Sequence, residues 1–200
     1  QQQRSAEALE LVNKALDLAP DYIDALHNRG NILKQVGRPA EARADFRTVL
    51  ERDPNNEKAA SNLAAMLCEV KEHGAAIHML QSFLKANPDN ATCWFSLGHA
   101  LWAGERHQEA VKVFSEAVGL DPTNRRATLA VGKVLAAGGE SEAAIHVFRQ
   151  CLVRDENDPE AAHMLAACTQ QNVPSRSSAE CVSVVFDNFA RKFDRTLEGL

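Results

Sequence analysis

Pro20, Pro54, Pro88 and Pro122 stand 34 residues apart each time, and this period constrains the chain more than any other feature. A proline removes a backbone donor and restricts the residue before it, so each of these positions ends a helix. Counting Ala91 as position 1, position 8 is filled by Gly30, Ala64, Gly98 and Gly132. Position 20 is filled by Ala8, Ala42, Ala76, Ala110 and Ala144. The segment 91–124 shows the pattern best: Trp94, Leu97, Leu101 and Phe114 are large, while Gly98, Ala110 and Ala117 are small. The small residues let two helices cross closely, and the large ones fill the space around the crossing. Neither helix buries its apolar stripe alone, so each pair needs neighbours.

This pattern resembles the tetratricopeptide repeat through residue 170. The resemblance implies an all-α fold, a right-handed superhelical solenoid of antiparallel helix pairs. In that register residues 1–22 are the second helix of a truncated repeat, and 23–56, 57–90, 91–124 and 125–158 are repeats. Residues 159–171 are a partial repeat with a first helix only, and 172–200 are a linker and a C-terminal amphipathic helix. Gly37 ends one first helix, with Pro39 opening the helix after it, and Gly104 marks the equivalent break further on. Arg29 takes position 7, where leucine is usual, which predicts a loosely packed edge there. Phe83 and Cys151 replace the small residue at position 27. Glu156 stands where the proline of 125–158 belongs, and Pro159 arrives three residues later. That delay predicts a longer terminal turn.

Composition narrows the function classes. A formal charge of -5 with no basic run argues against a nucleic-acid partner. The longest uncharged stretch falls far short of the ~20 apolar residues of a membrane span. Cys68, Cys93, Cys151, Cys168 and Cys181 form no C-x-x-C pair, so they read as small apolar thiols of a reducing, cytoplasmic setting. His73, His78, His107 and His146 fall on or near second helices with no third ligand in view, so no metal or other cofactor is expected. The chain opens QQQRS without methionine and stops in mid-pattern, as a piece of a longer protein would. Truncated solenoids expose apolar ends, which favours self-association.

The last stretch changes character. Ser177 and Glu180 make a capping box, and Val182, Val185, Phe186, Phe189, Ala190 and Phe193 recur at helical spacing. A helix sealing the last repeat is one reading. The other is a resemblance, carried by Phe186-Asp187-Asn188-Phe189-Ala190, Phe193-Asp194 and Leu197, to the lead-in of class I S-adenosylmethionine-dependent methyltransferase domains attached to tetratricopeptide arrays. It implies a substrate-recruiting arm whose catalytic domain lies beyond residue 200. No acidic-x-Gly-x-Gly turn for that cofactor occurs within the chain.

The repeat resemblance also implies a concave groove lined by first helices, binding an extended peptide or a partner protein. The positions that face it supply His27, Asn28, Asn31 and Lys34, then Lys58 and Asn62, then Phe95, His99 and Trp102, then Arg126, Leu129 and Lys133. Asn28 and Asn62 share position 6, where an amide can pair with a peptide backbone of any sequence. They resemble two rungs of the asparagine ladder of O-GlcNAc transferases, which ends here at Ser96 and Ala130. Phe95, His99 and Trp102 fall at i, i+4 and i+7 on one helical face, beside Arg126 and Lys133. That set suits a peptide carrying apolar and acidic residues, unless Phe95 and Trp102 pack against neighbouring helices. The carboxylate clamp of chaperone-binding members is excluded, because His27, Thr92 and Ser96 replace its three cations.

Overall fold

The computed structural model describes residues 2–170, and among them every regular element is an α-helix. The chain divides into two compact units, Gln1–Pro88 and Asp89–Leu200. The first holds α1 (Gln2–Leu18), α2 (Ile23–Gln35), α3 (Pro39–Arg52), α4 (Glu57–Glu69) and α5 (His73–Ala86). The second holds α6 (Ala91–Ala103), α7 (His107–Leu120), α8 (Arg125–Ala137), α9 (Ser141–Arg154) and α10 (Pro159–Gln170). Within each unit every helix packs on its chain neighbours. The capping box, the C-terminal stripe and the methyltransferase-like motif lie outside the described residues. No helix among the described residues is long and apolar enough to cross a membrane.

Position 8 is small because position 24 is large. A Cβ built on Gly132 would lie 2.5 Å from Phe148, one on Gly98 2.6 Å from Phe114, and one on Gly30 2.9 Å from Phe46. All three rings are buried, at 2% exposure or less. The remaining repeat has Ala64 at position 8, and there position 24 is the smaller Leu80. Interiors packed this densely leave no room for both a methyl and a phenyl ring. The repeats therefore match volume for volume.

Helix starts are fixed by residue 34 of the preceding repeat. Asn56, Asn90 and Asn124 accept from the backbone N–H of Ala59, Cys93 and Ala127 at 3.0, 2.8 and 3.1 Å. Asp158 does the same for α10, accepting from Glu160 and Ala161 N–H, each at 3.0 Å. A side-chain oxygen placed there satisfies donors that have no partner within the helix. First helices end through a left-handed residue at position 15: Gly37, Lys71, Glu105 and Gly139 have φ of 78, 63, 62 and 85°. In 91–124 that role falls to Glu105, with Gly104 at φ −88°. Arg106 N–H then donates to Leu101 O at 2.9 Å, and this closing bond sets the position whichever residue holds it.

Two expectations are corrected. The turn before α10 is not lengthened: α9 ends at Arg154 and α10 begins at Pro159, leaving four residues, as between Leu120 and Arg125. Pro159 is the first residue of α10, where its missing donor costs nothing, and is no displaced helix stop. Nor does Arg29 lie at a loose edge. Its Nε and Nη2 donate to Asp45 Oδ2 and Oδ1 at 2.8 and 2.6 Å, and Nη1 to Asn13 Oδ1 at 3.3 Å. Asp45 is 5% exposed, so an ion pair replaces apolar contacts between α2 and α3.

The four described cysteines behave as small apolar residues. Cys93, Cys151 and Cys168 are buried, and Cys68 is half-buried. Burial pushes the Cys151 thiol up to about 11, far from a reactive thiolate at neutral pH.

Candidate peptide-binding cleft

The second unit carries a cleft of about 490 Å³ between α6 and α8, with Glu160 of α10 also in its lining. Helical spacing brings Phe95, His99 and Trp102 to its wall from α6, and Arg126, Leu129 and Lys133 from α8. Six of the sequence-predicted residues therefore meet at one site. Leu129, at 2% exposure, forms the floor and is no free surface contact.

Phe95 is the centre of this wall. It is half-buried, with its ring centroid 5.6 Å from that of Phe114 beneath and 6.4 Å from that of His99 beside it. The Arg126 guanidinium lies 5.3 Å over the same ring. A cation held on an aromatic face keeps its donors available to a ligand. Trp102 leans on His107, the first residue of α7, with centroids 4.3 Å apart. Both aromatics thus pack on neighbours and still line the cleft.

Arg125 and Glu160 also line the cleft. Arg125 donates from Nε and Nη2 to Asp158 at 2.6 and 2.7 Å, and from Nη2 to Glu160 at 3.1 Å. Lys133 pairs with the other oxygen of Glu160. Glu160 holds position 2 of its repeat, as Lys58 and Arg126, both read as groove residues, do of theirs. That shared register was the available signal.

The ion pairs at α10 carry a pH dependence. The Arg125 guanidinium first, then the Ala161 and Glu160 N–H groups, hold the Asp158 carboxyl at about 2, below its ordinary 3.8. Glu160 is likewise lowered, chiefly by Lys133. A depressed carboxyl stabilises the fold above its unfolded pKa, and this contribution is lost as pH falls through the folded value. Amide protection of α10 is therefore expected to drop between pH 3.8 and about 2. In Asp158→Asn, which keeps the cap, that step should shrink. An unchanged step in the variant would show that the Arg125 pair does not hold α10.

In the first unit the candidates form no comparable wall. His27 is half-buried with its ring edge-on to Phe46 at 5.4 Å, and its buried Nδ1 has no hydrogen-bond partner among the described residues. Burial first and the charge of Lys58 second lower its pKa, which favours the neutral ring against Phe46. Asn62 donates to Asn31 Oδ1 at 3.3 Å, so this amide serves a neighbouring repeat. Lys34 lies 3.9 Å from Glu69. Asn28 and Lys58 are exposed.

Tetratricopeptide-repeat family models match residues 23–56, 69–125 and 101–168. Similar solved structures include MamA residues 41-end from Desulfovibrio magneticus RS-1, 22% identical with a TM-score of 0.67, covering 78% of this chain and 88% of that one. TTC0263, a thermophilic TPR protein in Thermus thermophilus, is 18% identical with a TM-score of 0.68, covering 84% and 92%. YrrB, described as a TPR protein with an unusual peptide-binding site, is 22% identical with a TM-score of 0.63, covering 80% and 83%. No curated protein matches the chain in sequence. The family matches stop short of the methyltransferase-like motif. This chain carries tetratricopeptide repeats through residues 23–56 and 69–168, and the all-helical fold of its described residues is that of their solenoids.

Proposed function

We propose that the chain is a protein-interaction module whose cleft on α6, α8 and α10 seats an extended peptide with an apolar residue beside an acidic one. The observation that carries this reading is Arg126, which lies over Phe95 and has no carboxylate partner among the described residues. An apolar side chain fills the space over Phe95, Leu129 and Trp102, and an adjacent carboxylate takes the guanidinium in a charge-assisted bond. YrrB, which shares the fold, supports a peptide ligand by its description.

Selection from a random dodecapeptide library tests it. The wild-type chain should enrich peptides with an acidic residue near a leucine or aromatic residue. Phe95→Ala and Arg126→Glu should each weaken the recovered peptides about tenfold or more. Peptides that bind both variants as well as wild type would place the interaction elsewhere.

A further inference from the structure

We infer that Glu160 is a built-in competitor for the anion seat between Arg125 and Lys133, and that an acidic side chain of the bound peptide displaces it. The occupant rests on the peptide reading above; the seat itself does not. One carboxylate bridges both cations: Arg125 donates to Oε2 and Lys133 to Oε1. That places a negative charge inside the cleft, where an incoming acid would bind.

Asp158 and Glu160 make different use of Arg125. Asp158 is buried, caps α10 and receives two bonds from the guanidinium, so it holds Arg125 in place by itself. Glu160 is held less firmly. Its side chain is 41% exposed, it receives one longer bond from Arg125, and it is the only carboxylate paired with Lys133 among the described residues. Exposed pairs of this kind are weak, so Glu160 can leave without unseating α10. The cleft lining sets Arg125, Arg126 and Lys133 against this one acid. A peptide with a single acid has Arg126 available at once. One with two neighbouring acids must evict Glu160 before the second finds partners, which makes Glu160 a specificity-determining residue.

Inorganic phosphate serves as the probe, followed on the full chain by amide and arginine side-chain NMR shifts at low salt. Glu160→Gln should bind phosphate about fivefold more tightly than wild type. Adding Lys133→Gln should return the affinity to the wild-type value. Glu156→Gln removes the same charge from the turn before α10 without touching the seat, and should leave phosphate binding unchanged. Equal gains in Glu156→Gln and Glu160→Gln, or a gain that survives Lys133→Gln, would overturn the seat. Diacidic peptides from the library should also bind Glu160→Gln about fivefold more tightly, and monoacidic ones unchanged. Phosphate needs no peptide, so failure of that arm leaves the peptide cleft standing. A phosphate response without any enriched peptide would overturn the displacement by a peptide acid and the peptide reading with it.

Discussion

Arg29→Leu should destabilise the first unit by about 2–4 kcal/mol, although it restores the residue usual at position 7. The reason is the partner left behind. Asp45 stays enclosed between α2 and α3, and two charge-assisted bonds at 2.6 and 2.8 Å disappear with the guanidinium. Other repeats pair positions 7 and 23 as Leu63 with Met79, Leu97 with Val113 and Val131 with Val147. Arg29→Leu with Asp45→Met copies the first of these pairs and should recover most of the loss, since apolar replacements of enclosed ion pairs are often neutral or better. Urea denaturation of the two singles and the double reads the result. A single variant within about 0.5 kcal/mol of wild type would mean that water or a rearranged backbone already satisfies Asp45.

Gly132→Ala should also destabilise, by about 1–2 kcal/mol, against the gain of up to about 1 kcal/mol that alanine brings to a helix interior. The added methyl would fall 2.5 Å from a fully buried Phe148 ring. Gly98→Ala should cost nearly as much, and Gly30→Ala least, in the order of their 2.6 and 2.9 Å approaches. Phe148→Leu alone should cost about 1–2 kcal/mol of lost burial. Combined with Gly132→Ala it recreates the Ala64 and Leu80 arrangement, so the double should be more stable than the summed singles by about 1 kcal/mol. Strict additivity in that cycle would show that positions 8 and 24 do not compete for one volume.

These two cases show where the sequence was legible. The period, the small residues at position 8 and the proline breaks sit at fixed local spacing, so the helix pairs could be read directly. The Arg29 pairing could not be read from position 7 alone, because its partner lies 16 residues away on another helix. Pro159 was misread because proline serves both to stop a helix and to start one, and only the helix bounds decide between them. Lys71 and Glu105 carry no sign of a left-handed backbone; the hydrogen bonds that close the preceding helix impose it. At the cleft, periodicity placed Phe95, His99 and Trp102 on one face. It was silent on His27, whose ring turns to Phe46. Periodicity describes one helix at a time, whereas a side chain's direction is settled by what crosses above it.

The volume match between positions 8 and 24 has a consequence for how such a chain changes over time. Both members of each match lie inside one repeat, and so do Arg29 and Asp45. A 34-residue segment therefore travels with its own complementarity. Copying or transplanting it leaves its internal fit intact and asks the host only for compatible outer faces. Gene duplication can lengthen such an array, and each copy is then free to change its outer surface without disturbing the fit within.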